Sequence, residues 1–330
     1  MHVKLQQNKF KFNFMVGNCT KILTLIVLSK EKLMLAHTMQ FTTKGLALAV
    51  LLMTFNACNF SQSSEKDLIT GLTTRGDGLS CEEVYLSDGE NIIKRNSFIY
   101  GETFYVNFDG VEGFEKEGKS AFPEMEIIVI NDRGDTALYI RDMYEGYKDG
   151  IDISPLQLSA ELTVANPIHT GENHTLNVNI RDRKGDGSFR ANMDFDVIHN
   201  EKILVKSDQV SFREIYLYSQ QRSHAITNGQ AGFNENLYLL FEGLQGFAEE
   251  EGKVHLGLSM VVEDAEGNVI LDEPDLFGDS MLDTEEVHSQ IAPNFILTGS
   301  QLANPLSLLV RIWDKRSSSW ISASTKIVIE

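Results

Sequence analysis

The sequence is short of the residues that stabilise a fold by special means. Its 330 residues include three cysteines, six prolines and two tryptophans. Three cysteines cannot build a disulfide scaffold, and six prolines cannot make a Pro-rich linker protein. Positive charge is scarce as well. Lys and Arg number 29 against 47 Asp and Glu, a formal net charge of −18. A surface this acidic repels phosphate backbones, so no nucleic-acid partner is expected. Long apolar runs are also missing: residues 22–28 and 46–55 fall far short of the roughly 20 residues a spanning helix needs. There is no Gly-x-Ser-x-Gly elbow, no His-Glu-x-x-His and no glycine-rich phosphate loop, so neither an enzyme nor a cofactor is expected. What remains is a globular balance, 42% hydrophobic and 23% charged, with length for about two domains.

The N-terminal part carries an address. Met39-Gln-Phe-Thr-Thr-Lys44 is a short positive start, residues 46–55 are apolar, and Asn56-Ala57 places a small residue just before Cys58. Polar residues follow at once, the layout of a secretory signal. The stretch Leu51-Leu-Met-Thr-Phe-Asn-Ala-Cys58 resembles the lipobox of bacterial lipoproteins. That resemblance implies a lipidated Cys58 as the first mature residue, a membrane as partner through that lipid, and a place in the bacterial cell envelope. Met39 is then the expected start, 1–38 an extension ahead of it and 39–57 the signal. Residues 58–80, rich in Ser, Thr and Gly, read as a flexible tether. Cys81 is the one thiol left, so no intramolecular disulfide forms.

Beyond the tether the chain repeats itself. Glu83-Val-Tyr-Leu86 recurs as Glu214-Ile-Tyr-Leu217, and Asp109-Gly-Val-Glu-Gly-Phe114 as Glu242-Gly-Leu-Gln-Gly-Phe247. Ile127-Ile-Val-Ile130 aligns with Met260-Val-Val-Glu263, and Leu176-Asn-Val-Asn-Ile-Arg-Asp182 with Leu308-Leu-Val-Arg-Ile-Trp-Asp314. Four blocks in one order at near-constant offset indicate a tandem duplication. The copies are placed at 81–199 and 208–330, joined by a linker at 200–207. Within each the period is two: Leu176, Val178 and Ile180 alternate with Asn177, Asn179 and Arg181, as do Ile321, Ala323, Thr325 and Ile327 with Ser322, Ser324 and Lys326. Such alternation marks strands with one buried face. Turn residues between the strands complete an all-β expectation: two tandem antiparallel β-sandwich domains, immunoglobulin-like in architecture. Only residues 283–289 suggest a helical turn.

Most residues that could carry chemistry have a plainer role. Glu115, Glu117, Glu249 to Glu251 and the acids of 279–286 read as solvated acidic loops, because a general acid needs burial. His169 and His174 bracket a polar turn, and no metal site is expected there. Asp182-Arg-Lys-Gly-Asp-Gly187 begins like a calcium loop, but Lys184 and Met193 occupy positions that need oxygen ligands. Arg-Gly-Asp occurs at Arg75 and again at Arg133, where turn geometry accounts for the residues. The two glycines of each Gly-x-x-Gly-Phe block permit a tight strand exit, with the aromatic as a core plug.

One group points to a ligand. Trp313 and Trp320 flank a short polar turn and should face outward as a cross-strand pair, with Arg311 and Arg316 beside them. Such a set is either a hairpin lock or a stacking platform for a sugar ring or a partner chain. Arg181 and Phe189 are the positions expected to match in the first copy. The function expected is a lipid-anchored envelope binding or adhesion protein for a glycan or an envelope protein. A structural subunit of an envelope assembly is the alternative and an enzyme the third choice.

Overall fold

The computed structural model describes residues 2–4, 62–299 and 302–330. Cys58, the signal segment and the expected start at Met39 lie outside the described residues. The chain is almost wholly β. In the first copy the main strands are β1 (Thr73–Asp77), β2 (Glu83–Ser87), β3 (Thr103–Asp109), β4 (Pro123–Asn131), β5 (Thr136–Ile140), β6 (Leu158–Thr163), β7 (Asn173–Asp182) and β8 (Ser188–Ile198). In the second they are β9 (Leu204–Asp208), β10 (Glu214–Ser219), β11 (Asn236–Glu242), β12 (Leu256–Glu263), β13 (Val269–Glu273), β14 (Asn294–Thr298), β15 (Leu306–Asp314) and β16 (Trp320–Ile329).

Strand order is the same in both copies. The smaller sheets run β6-β3-β2 and β14-β11-β10, and the larger ones β1-β8-β7-β4-β5 and β9-β16-β15-β12-β13. All of these pairings are antiparallel. A short segment also pairs parallel with the long last strand of each copy, Ser97–Ile99 with β8 and Gln230–Ala231 with β16. His2–Lys4 lies against β14.

Alternation decides which faces meet. Along β7 the buried residues are His174, Leu176, Val178, Ile180 and Asp182, and along β16 they are Ile321, Ala323, Thr325, Ile327 and Ile329. The inward residues form two separate cores. One spans Leu72 to Val197 around stacked Phe98 and Phe104, and the other spans Ile203 to Ile329 around Phe241 and Phe295. Two β-sandwiches result, each burying its own apolar face. The helical turn is present as α1 (Thr284–Ser289), its N-terminus capped by Asp283, which accepts from the Glu285 N–H at 3.1 Å.

Matched polar contacts wire the two copies alike. Asp142 Oδ1 accepts from the N–H groups of Met125 and Tyr144 while the carboxylate pairs with Arg183. In the second copy Asp275 Oδ1 accepts from Leu258 and Phe277, and Lys315 Nζ lies 2.6 Å from Oδ2. Asp182 takes the N–H of Glu115 at 2.5 Å, as Asp314 takes that of Ala248 at 2.5 Å. Burial pushes the Asp314 carboxyl up, but the N–H groups of Ala248 and Arg316 and the Ser317 hydroxyl outweigh it and hold it below its ordinary value.

The edges of the copies differ from expectation. Part of the stretch read as tether is sheet: Gln62–Lys66 pairs with β1, β1 pairs with β8, and Leu72 and Leu79 enter the first core. The stretch read as linker likewise contains β9, which pairs with β16, and Ile203 is buried. Thr, Arg and Gly carry little apolar pattern, but their backbone groups still complete a ladder.

Candidate ligand-binding surface

The outer face of the larger sheet of the second sandwich holds the tryptophans. Register places Gly257, Trp313, Trp320 and Asp208 side by side in one row across β12, β15, β16 and β9. The next row is Ser259, Arg311, Ser322 and Lys206. Gly257 has a specific use here. A Cβ at that position would come within 2.1 Å of the Trp313 ring, so the indole lies flat against the bare backbone of β12. The Arg311 guanidinium carbon sits 4.7 Å from the centre of the Trp320 ring, a cation–π contact. Both tryptophans are half-buried. Two residues along the strands, Leu309 and Leu204 add apolar surface that is 46% and 65% exposed.

Arg316 does not join this group. Its guanidinium pairs with Glu250, and its backbone N–H is held by Asp314. The matching position in the first copy also differs from expectation. Arg181 faces Ser188, as Trp313 faces Trp320, whereas Phe189 is one residue out of phase and points into the core. A shift of one residue along a strand reverses the face.

The remaining candidates fall to structural roles. Glu115, Glu117 and Glu249 to Glu251 are exposed. Asp182 uses its carboxylate oxygens on the N–H groups of Glu115 and Lys184, which closes the hairpin. His174 is buried against the Phe195 ring, and burial holds its imidazole below the usual value despite Glu172 nearby. No cluster of metal-ligating side chains occurs among the described residues. The Arg133-Gly-Asp135 turn is exposed, with Arg133 paired to Asp135 and Glu172, while Arg75-Gly-Asp77 lies within β1. The Cys81 thiol hydrogen-bonds the carbonyls of Glu83 and Asp109, and burial pushes it up to about 11, so it is a poor nucleophile. No helix among the described residues is long and apolar enough to cross a membrane.

A buried polar contact between the sandwiches is not evident in the sequence. Glu214 is 1% exposed and accepts from Thr170 N–H at 2.9 Å and Thr170 Oγ1 at 2.7 Å, with His169 Nδ1 at 3.3 Å. Alongside, the Tyr216 hydroxyl donates to Glu242 at 2.7 Å, and the Tyr216 ring lies 5.2 Å from that of Tyr100. Burial pushes the Glu242 carboxyl above its ordinary value, with Tyr216 pulling it back. Glu214 sits in the repeated Glu-x-Tyr-Leu block, whose first copy has the exposed Glu83. Sequence identity within the block conceals this change of role.

No protein-family model matches the chain, and no curated protein matches it significantly. Among solved structures, it is similar at 10% identity and TM-score 0.23 to dimeric latent PorU from Porphyromonas gingivalis, covering 76% of this chain and 20% of that one. A structure titled pT26-6p is similar at 9% identity and TM-score 0.23, over 82% and 66% of the two chains. A DUF3823 family protein from Bacteroides ovatus gives 12% identity and TM-score 0.18, over 66% and 93%. The chain thus spans about a fifth of the first of these structures. Likeness this slight assigns no function, which must come from the chain's own residues.

Proposed function

We propose that the chain is an exported binding protein of the bacterial cell envelope, held on a membrane by a lipid on Cys58. Its partner, a glycan or another envelope protein, docks on the outer face of β9-β16-β15-β12. One observation carries the binding part of this reading. Trp313 and Trp320 stand opposite each other on a solvent-facing sheet, one on a glycine floor and one under an arginine. Aromatic faces beside a guanidinium suit the C–H face and hydroxyls of a sugar, or a partner's side chains. The lipoprotein resemblance of the sequence around Cys58 supports the anchored, envelope part.

The alternative of a structural subunit draws on Leu204 and Leu309, which extend the same face as an apolar patch. Self-association in sedimentation experiments, lost on Leu309→Lys, would favour it.

The test replaces Trp313 and Trp320 by Ala together and measures binding to immobilised envelope glycans, capture of membrane proteins and thermal stability. The expected outcome is a loss of binding of at least about tenfold, with stability lowered by about 1 kcal/mol for the lost cross-strand pair. Reduced stability with every binding unchanged would make the pair a hairpin lock and end the platform reading.

A further inference from the structure

The corresponding face of the first sandwich has a different chemistry. Register runs one row through Ser64, Arg75, Arg190, Asn179 and Glu126 across five neighbouring strands. Arg75 and Arg190 therefore stand directly opposite each other on β1 and β8, both exposed. Like charges so placed weaken a ladder. In a chain with 47 acidic residues, neither arginine forms an ion pair or hydrogen bond among the described residues. Arg190 lines a shallow cavity of about 420 Å³ together with Arg181 and three carboxamides, those of Asn177, Asn179 and Asn192. Ile128 gives the cavity an apolar patch. Two lining residues are already engaged with acids: Arg181, at 3.9 Å from both Glu124 and Glu126, and Asn179, whose Nδ2 donates to Glu126 at 2.9 Å.

Each part fits one kind of ligand. Unpaired guanidinium forks bind a carboxylate in bidentate fashion. Carboxamides both donate and accept, which matches neighbouring sugar hydroxyls, and an apolar patch takes the C–H face of a pyranose ring. We propose that this face binds an acidic saccharide, with a sugar carboxylate between Arg75 and Arg190 and the hydroxyls on Asn177 and Asn192. The site is independent of the tryptophan platform. The second copy has no such set, because Lys206, Ser322, Arg311 and Leu309 hold the positions of Arg75, Arg190, Asn179 and Asn177.

Calorimetric titration of the full chain with tetragalacturonate tests this, beside neutral maltotetraose and a tetraglutamate peptide, at low and high salt. The expected result is saturable binding of tetragalacturonate that weakens with salt and falls at least about tenfold in Arg190→Ala and in Arg75→Ala. Arg190→Glu should abolish that binding and raise the melting temperature, because the new carboxylate pairs with Arg75. No binding of tetragalacturonate, binding of maltotetraose that is lost equally in the arginine variants, or tetragalacturonate binding that survives in those variants would overturn the proposal. Tetraglutamate bound as tightly would overturn the saccharide assignment in favour of an acidic protein partner.

Discussion

Gly246→Ala is expected to destabilise the second sandwich by about 3 kcal/mol, the sum of a left-handed backbone penalty and overpacking. Gly246 has φ +103, and a Cβ there would lie 2.0 Å from the Gln209 carbonyl oxygen. The crowding follows from the backbone pairing of Ser211 with Gln245, which draws the two segments together. The first copy repeats the arrangement at Gly113, with φ +98 and the Gly78 oxygen at 2.2 Å. Gly252 is the control. It also has positive φ, +75, but nothing lies within 4 Å of its Cβ position. Gly252→Ala should therefore cost only about 1 kcal/mol. Chemical denaturation of the two variants checks this, and equal losses at Gly246 and Gly252 would remove crowding as the reason for the repeated glycine.

The second large effect is at the contact between the sandwiches. Glu214→Ala strips half-buried Thr170 of the acceptor for both its N–H and its hydroxyl and leaves buried His169 without its partner. Unsatisfied buried groups cost about 1–3 kcal/mol each, so a loss of about 2–4 kcal/mol is expected. Glu83→Ala, at the exposed counterpart, should change stability by less than about 0.5 kcal/mol. Unfolding should also split into two transitions once the contact is broken. Denaturation followed by calorimetry reads both effects. A Glu214→Ala loss no greater than that of Glu83→Ala would mean the junction is not held there.

Much of the fold could be read from residue order. Alternation at Leu176 to Ile180 and at Ile321 to Ile327 named the buried faces, because a strand hydrophobic on one side has a period no helix shares. The repeated blocks placed equivalent strands in equivalent sheets. β1 and β9 escaped, since Thr73-Thr-Arg-Gly-Asp77 has no apolar alternation and pairs with a strand more than a hundred residues away. Arg75 therefore falls within the stretch that reads as a tether, and nothing local in the sequence shows its meeting with Arg190. The facing of Trp313 and Trp320 followed from alternation on each side of a short turn. The glycine beneath Trp313 and the engagement of Arg316 with Glu250 depend on a third strand and a distant loop. Burial of Glu214 arises only from contact between the copies, which no local pattern encodes.

Where the protein goes decides whether a lipid on Cys58 anchors it. Two or more acyl chains, at about 0.8 kcal/mol per buried methylene, hold a protein stably on a membrane, whereas none leaves it free. Expressed in a bacterial host and fractionated, the unaltered protein should pellet with membranes and partition into detergent, and Cys58→Ala should move to the soluble fraction after export. Cys58→Ala that remains in the membrane fraction would contradict the lipid anchor.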